Sequence, residues 1–311
     1  GFIGSHLSEA LLARGDEVVG LDNFNDFYDP SIKRGHARLL AKHDGFRLVE
    51  GDIRDATLVK GLFADEKPTS VIHLAAMAGV RPSLIDPVHY HDVNCTGTTV
   101  LLEAARNADV QKFVFGSSSS VYGGNERVPF HEDDDVSRPV SPYAATKRAN
   151  EITCSTFCHL YGMDIAALRF FTVYGPRQRP EMAIHKFVRM VEEGDALPVF
   201  GDGTSERDYT YIEDILDGIT KAHDKSRGFR IYNLGESQTI SLRDLVTAIG
   251  EATGKAPLVD WQPMQPGDVL RTFANVDRAR EELGYDPKVH VKEGLQRFVA
   301  WYRGPDGPGQ A

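Results

Sequence analysis

Tyr143 and Lys147 stand four residues apart in the run Ser141-Pro-Tyr-Ala-Ala-Thr-Lys147. In a helix that spacing sets both on one face. A phenol titrates near ~10 in water, and an ammonium held beside it draws that value towards neutral pH. With a hydroxyl added, the group can carry a proton on or off a substrate alcohol, and the serine run Ser117–Ser120 upstream offers one. Of the eleven tyrosines only Tyr143 has a lysine at the fourth position after it. Tyrosine and lysine also share solvated helix faces for no catalytic reason, so the pair takes its meaning from the elements that position it.

Those elements alternate. Apolar strand patterns at Glu17–Asp22, Phe46–Asp52, Ser70–Ala76, Lys112–Ser117 and Ile165–Thr172 are separated by helix-period segments that include Ile3–Arg14, Thr57–Glu66, Asn94–Asn107 and Pro142–Tyr161. Strand-helix alternation predicts a parallel sheet covered on both faces. Ser141-Pro142 reads as an N-cap followed by proline in the first turn of the helix that carries Tyr143. Beyond Pro176 the pattern loosens, with Arg230–Gly235 expected to rejoin the sheet, and the Gly- and Pro-rich end is expected to be disordered.

Composition narrows the function classes. The 311 residues are 41% apolar and 26% charged, with a net charge of −10; that balance suits a globular chain of two lobes and argues against nucleic acid as a partner. No apolar run approaches the roughly 20 residues of a membrane helix. Three cysteines, Cys95, Cys154 and Cys158, make no disulfide framework and point to a reducing, cytoplasmic setting. No ladder of Cys and His has metal-ligand spacing, so no metal is expected, and His73, inside an apolar run, reads as a core histidine.

Gly1-Phe2-Ile3-Gly4 ahead of an amphipathic helix looks like the last two glycines of a dinucleotide fingerprint. Asp22 ends the next strand about where a carboxylate accepts the adenosine ribose hydroxyls, roughly 20 residues on. An acid there repels a 2′-phosphate, which favours NAD over NADP. The cofactor set expected from this end of the chain is Gly1, Phe2, Ile3, Gly4, Asp22, Asn23, Asp52, Ile53, Leu74, Ala75, Ala76 and Asn94, with Tyr143 and Lys147. The full fingerprint begins with a strand and an earlier glycine, so the natural protein is expected to be longer by one strand and turn, on the order of 10 residues.

Taken in order, Gly1-Phe-Ile-Gly-Ser, Gly51-Asp-Ile-Arg-Asp, His73-Leu-Ala-Ala, Ser117–Ser120-Val-Tyr-Gly, Ser141-Pro-Tyr-Ala-Ala-Thr-Lys, Arg169-Phe-Phe-Thr-Val-Tyr-Gly-Pro and Arg207-Asp-Tyr-Thr-Tyr-Ile resemble the extended short-chain dehydrogenase/reductases, the NAD-dependent sugar epimerase/dehydratase family. The resemblance implies a Rossmann-type doubly wound parallel sheet over residues 1–175, with 207–235 returning to it. It also implies a smaller α/β C-terminal lobe (176–206 and 236–303) that grips a nucleotide-sugar, a tail at 304–311, and a homodimer through two long helices. Family 4,6-dehydratases carry an Asp-Glu pair before the Val-Tyr-Gly, and family UDP-glucuronate decarboxylases a glutamate. Ser119 and Ser120 stand there in this chain, which leaves oxidation and return of a hydride.

Asp22-Asn-Phe-Asn-Asp-Phe-Tyr-Asp-Pro-Ser-Ile-Lys33 and Gly175-Pro-Arg-Gln-Arg-Pro-Glu-Met182 are similar to segments of UDP-glucuronate 4-epimerases. Residues matching Arg179 and Thr172 face the sugar carboxylate in that group, and a guanidinium suits both carboxylate oxygens. The resemblance gives Tyr143 the proton, Lys147 the nicotinamide ribose and a lowering of the tyrosine pKa, and Ser118 a hydrogen bond to the reacting oxygen. It puts Ser119 and Ser120 on the sugar side, Arg207 and Arg271 at the diphosphate, Phe200 at the uracil and Asp268 at the uridine ribose. Gln265 replaces an arginine that some members carry, and Arg271 is equally placed to pair with Asp268. The implied reaction is C4 epimerisation of a UDP-sugar, UDP-glucuronate above others. UDP-glucose 4-epimerase, UDP-glucuronate decarboxylase and a non-catalytic NAD-sensing protein are the alternatives.

Overall fold

The computed structural model describes residues 1–263 and 270–310. Its strands are β1 (Val18–Asp22), β2 (Phe46–Glu50), β3 (Ser70–His73), β4 (Lys112–Ser118), β5 (Asp164–Phe170), β6 (Thr172–Tyr174), β7 (Ala196–Phe200), β8 (Glu206–Arg207), β9 (Tyr209–Tyr211), β10 (Phe229–Leu234), β11 (Ile240–Ser241) and β12 (Leu258–Gln262). Between them run α1 (Phe2–Arg14), α2 (Pro30–Leu40), α3 (Ala56–Glu66), α4 (Val80–Ile85), α5 (Pro87–His91), α6 (Gly97–Asn107), α7 (Pro142–Tyr161), α8 (Ala183–Glu193), α9 (Ile212–Lys225), α10 (Leu242–Thr253), α11 (Asp277–Leu283) and α12 (Val291–Arg303).

The period of the sequence explains the layering. Along β4, Val114 packs into one core with Leu7, Ile215 and Ile219, whereas Phe113 and Phe115 pack into the other with Val59, Phe63 and Leu102. Along β5, Ala166 and Leu168 join the first core, Ile165 and Ala167 the second. Alternate side chains of one strand point to opposite faces, so a continuous apolar run buried on both sides marks a parallel sheet with helices above and below. The first core continues without a break into the C-terminal residues Phe187, Leu197, Leu245 and Phe298.

Strand pairing is less continuous than the alternation suggests. β10, β5, β4 and β3 form one parallel four-stranded sheet in that order, and β1 pairs only with β2. Both sheets are parallel, as the alternation of strands and helices requires. β1 and β3, which follow α1 and α3 in sequence, make no ladder with each other. β10 does join β5, with Phe229 opposite Ile165 and Leu234 opposite Phe170. In the C-terminal part, β7 pairs β12 in parallel, β6 pairs β9 in parallel and β8 pairs β11 antiparallel.

Boundaries move for local reasons. β2 stops at Glu50 and β3 at His73, short of Asp52 and Ala76, because the chain turns out of the sheet into the loops that face the site. The helix expected from Asn94 is α6, starting at Gly97, and residues Asp92–Thr96 before it form a π-helical turn; such turns concentrate at functional positions. Arg303 closes α12, and the Gly- and Pro-rich end carries a 3-10 turn at Pro308–Gln310, with the Gly307 amide donating to the Gly304 carbonyl at 3.0 Å. No helix among the described residues is long and apolar enough to cross a membrane.

Candidate active site

Ser141 caps α7, its hydroxyl accepting the Ala144 amide at 3.1 Å, and Pro142 opens the first turn. The phase this sets aims Tyr143 and Lys147 at the end of β4. Lys147 is 4% exposed, and its ammonium donates to the Gly116 carbonyl at 2.6 Å. It lies 4.9 Å from the centroid of the Phe115 ring and 5.9 Å from that of Tyr143. Burial holds the lysine down to about 8, against the opposing pull of Cys154, Cys95 and Glu151.

Tyr143 behaves differently from the sequence expectation. Burial raises its phenol above the usual value, and a hydrogen bond with Ser118 and the charge of Arg179 pull the other way. The Lys147 ammonium gives its hydrogen bond to the Gly116 carbonyl and not to the phenol. Arg179, from a loop that follows it in sequence, is a second positive group whose charge reaches the tyrosine. Tyr90 packs edge-on against Tyr143, centroids 6.4 Å apart, and donates to the Ala78 carbonyl at 2.8 Å.

The four serines divide their work. Ser117 donates to Glu151 at 2.7 Å, and Glu151 holds Arg169 through two 2.9 Å bonds, all three residues at most 3% exposed. That buried, doubly bonded pair pins α7 to β5 and leaves Ser117 a structural residue. Ser118 ends β4, donating to the Ser120 hydroxyl and accepting the Ser120 amide, each at 3.1 Å. The 3-10 turn Ser119–Tyr122 that it caps leaves Ser119 and Ser120 half-buried beside it.

At the cofactor end, α1 starts at Phe2 with Gly1 as N-cap; no side chain caps it and its first turn holds no acid. The amides of Phe2, Ile3 and Gly4 therefore lack both an intrahelical acceptor and a competing carboxylate, and the helix dipole adds positive potential. A Cβ on Gly4 would meet nothing within 4 Å. This donor set fits a dinucleotide diphosphate. Asp22 lies at the end of β1 with its Oδ2 3.4 Å from the Gly1 nitrogen and its Oδ1 3.3 Å from the Lys33 ammonium. Burial would raise its carboxyl, and Lys33 and the Phe24 amide oppose that. Asn23 donates to Asp52 at 3.1 Å, joining two of the expected contacts. Asp52 is also held by Arg54 at 2.8 Å, chief among the causes that keep it ionised. Ile53 is buried and fills the space where a Cβ on Gly97 would be. Asn94 accepts the Met77 amide at 2.8 Å and donates to the Met77 carbonyl at 3.0 Å and to Thr146 at 2.9 Å. It thereby clamps the loop that carries Leu74, Ala75 and Ala76 onto α7. His73 is 4% exposed and bonded to Thr98 at 2.9 Å, a core histidine as expected.

Arg179 is gathered into the same site. Its guanidinium lies 5.6 Å from the Phe27 ring centroid and 3.2 Å from Glu181, and its charge acts on Tyr28, Tyr90 and Tyr143 alike. Thr172 begins β6, its amide donating to the Asp208 carbonyl at 3.2 Å. Arg207 ends β8, with its Nη1 donating to the Glu206 carbonyl at 2.8 Å, and Arg271 pairs with the Glu206 side chain at 2.7 Å. Asp268 and Gln265 lie outside the described residues. Phe200 is half-buried at the end of β7, with the Arg81 guanidinium 5.5 Å from its ring centroid. Arg81, Phe27, Tyr90 and Lys33 were not singled out from the sequence. Phe27 and Lys33 fall in the segment Asp22–Lys33, and which side chains meet across it depends on the fold. Among the described residues no group of three or more His, Cys, Asp or Glu side chains is placed to hold a metal.

Comparison with known proteins fits this geometry. The family described as GDP-mannose 4,6 dehydratase matches residues 1–298. The chain belongs to this family, the NAD-dependent epimerase/dehydratase group of extended short-chain dehydrogenases. It is 45% identical to UDP-glucuronate 4-epimerase 3 of Arabidopsis thaliana over 98% of this chain and 75% of that protein. The solved UDP-glucuronic acid 4-epimerase of Bacillus cereus, in complex with UDP-glucuronic acid and NAD, superposes with a TM-score of 0.91 at 35% identity over 97% of this chain and 96% of the other. The Thermotoga maritima UDP-glucose 4-epimerase with UDP-glucose gives 0.89 at 31% identity, again over 97% and 96%. The Rossmann-type α/β fold, an isomerase and NAD as its cofactor stand with the family.

Proposed function

We propose that this protein interconverts UDP-glucuronate and UDP-galacturonate by inverting C4 through a 4-keto sugar. The observation that carries the reading is Arg179, whose guanidinium acts on the same Tyr143 that hydrogen-bonds Ser118. Besides its pull on the Tyr143 phenol, a guanidinium there can pair both oxygens of a carboxylate at C5, a contact that a hydroxymethyl group does not use. The likeness to UDP-glucuronate 4-epimerases supports the same choice.

Gly1, Phe2, Ile3 and Gly4 would hold the NAD diphosphate and Asp22 its adenosine ribose. When bound, NAD supplies the acceptor and donor of the hydride. Burial holds the proton on Tyr143 in the free protein; once positive charge is brought beside it, its phenolate takes the proton of the C4 hydroxyl as that carbon is oxidised, and returns a proton to the C4 oxygen when the ketone is reduced from its other face. Ser118 shares a hydrogen bond with that oxygen. Lys147 stands ready at the nicotinamide ribose once its bond to Gly116 yields. Ser119 and Ser120 offer no carboxyl for elimination or decarboxylation. The 4-ketone of a uronic acid is a β-keto acid, which loses CO2 most readily when the carboxylate bond stands perpendicular to the carbonyl plane; Arg179 and Thr172 hold the carboxylate out of that geometry. Arg207, Arg271, Phe200 and Asp268 complete the UDP grip.

A homodimer belongs to this reading. Ile85 and Val88 on α4 and α5 are 87% and 77% exposed, and Ile152 and Leu160 on α7 are 54% and 59% exposed, apolar surface that pairing with a second copy would cover. The three cysteines are unpaired, and we place the protein in the cytoplasm.

The test is incubation with UDP-glucuronate and catalytic NAD, products resolved by NMR, alongside Arg179→Ala. UDP-galacturonate without CO2 from the wild type, and a rise in CO2 release from the variant, are the expected results. A UDP-pentose from the wild type, or conversion of UDP-glucose alone, would replace this reading with decarboxylation or neutral-sugar epimerisation.

A further inference from the structure

We propose that Arg177 is a positioning residue that mounts the loop carrying Arg179 on α1, so that the carboxylate-binding arginine is held in register with the cofactor helix. The inference rests on the uronate reading above and names how its loop is set. The chain leaves β6 at Gly175, where φ is 145° and Ile212 occupies the space a Cβ would need, 2.6 Å away. It then passes through Arg177 at φ 65°, a left-handed conformation that an arginine adopts only where its surroundings dictate it.

From that bend the side chains part in three directions. Gln178 goes inwards: its side-chain nitrogen donates to the Val173 carbonyl at 2.9 Å, its side-chain oxygen accepts the His185 amide at 3.2 Å, and its backbone carbonyl lies 2.6 Å from His185 Nδ1. Arg177 goes to α1, with Nη1 2.9 Å from one Glu9 oxygen and Nη2 2.5 Å from the other. This is the paired-fork arrangement in which a guanidinium fixes direction as well as distance. His6, one turn earlier on α1, adds two contacts: Nδ1 lies 2.7 Å from Arg177 Nη2, and Nε2 lies 2.8 Å from the Pro176 carbonyl. A neutral imidazole protonated on Nε2 satisfies both, accepting from the arginine and donating to the carbonyl. Burial, with Arg177 beside it, keeps the ring neutral, near a pKa of about 4. Arg179, the third residue, is left to face Phe27 and the tyrosines.

The contacts join positions about 170 apart in sequence, and none of them is needed to close the loop, which Gln178 already ties to β6 and α8. Their distinct effect is to make the loop move with α1, whose first-turn amides are the donors for the dinucleotide diphosphate. Two sites fixed to one element are coupled where binding at one changes the order of that element, so a cofactor that orders α1 orders Arg179 as well.

Hydrogen exchange and product analysis on the full-length protein separate this from a merely structural ion pair. Wild type, Arg177→Gln, Glu9→Gln, Arg177→Lys and the swap Glu9→Arg with Arg177→Glu are compared with and without NAD, and with UDP-glucuronate. In the wild type, NAD is expected to slow amide exchange in residues 176–182 several-fold. Both glutamine variants are expected to lose that effect while still binding NAD, to raise the KM for UDP-glucuronate about tenfold, and to release several-fold more CO2 per turnover; the lysine variant or the swap recovers part of each. Unchanged exchange protection and product partition in Arg177→Gln, with only the melting temperature lowered, would overturn the proposal, as would a wild-type loop indifferent to NAD. A wild type that forms no UDP-galacturonate, yet shows NAD-dependent protection that Arg177→Gln abolishes, would remove the uronate reading and leave the mount standing.

Discussion

Replacing Lys147 by methionine is expected to destroy activity and stabilise the fold. Lys147 is 4% exposed and has its pKa held down to about 8, chiefly by burial. Against ~10.4 for the unfolded chain, that gap of about 2.4 units corresponds to roughly 3 kcal/mol at about 1.36 kcal/mol per unit. The folded state binds fewer protons than the unfolded state between those two values, so this penalty is complete below pH 8 and fades as pH rises to ~10.4. Methionine fills a similar volume without a charge, and losing the bond to the Gly116 carbonyl costs about 1 kcal/mol. The variant is therefore expected to be more stable by roughly 2 kcal/mol at pH 7, with the difference vanishing or reversing near pH 10.5. Urea unfolding of both proteins at the two pH values, followed by the fluorescence of Trp261 and Trp301, measures it. A variant less stable than wild type by the same amount at both pH values would refute the reasoning, since Lys147 would then be held by contacts and not penalised by burial. Activity is expected to fall on the order of 100-fold or more.

Tyr143→Phe is expected to lower kcat on the order of 100- to 10,000-fold while leaving NAD binding intact; stopped assays with UDP-glucuronate and a cofactor titration check both. Ser120→Glu puts a carboxyl where decarboxylating relatives carry one, and is expected to divert part of the UDP-glucuronate to CO2 and a UDP-pentose, read by gas release and NMR. Glu236 is 6% exposed, its Oε2 has no partner and its Oε1 lies 2.9 Å from His290. Burial, then the charges of Asp214 and Asp208, raise its carboxyl to about 8. The folded state thus holds a proton there that the unfolded chain has lost, and wild-type stability falls as pH rises from ~4.3 to 8. Glu236→Gln should remove that slope, so melting temperatures at pH 5 and pH 9 should converge in the variant; an unchanged slope would rule it out.

How the sequence and the fold share the specification is clearest in α7. Ser141-Pro142 set its start and the four-residue spacing set Tyr143 and Lys147 on one face, both written in local chemistry and both found in place. The direction in which the lysine spends its charge is another matter: it depends on the Gly116 carbonyl, 31 positions earlier. Likewise the run Ser117–Ser120 reads as four similar hydroxyls. Only the register of β4 against α7 turns Ser117 to Glu151 and leaves Ser118 for Tyr143.

The alternation of apolar strands and amphipathic helices determined an α/β chain by itself, because periods of two and of about 3.6 residues are local properties. It also placed the acid at the end of β1 and the glycines at the start of α1. What the sequence left open was every contact between residues far apart: Arg271 with Glu206, Arg81 over Phe200, and Arg177 with Glu9. An arginine in a Pro-rich loop reads the same whether it is solvated or bonded. Its partner is chosen by where α1 meets the loop that follows β6, and that is decided only when the chain has folded.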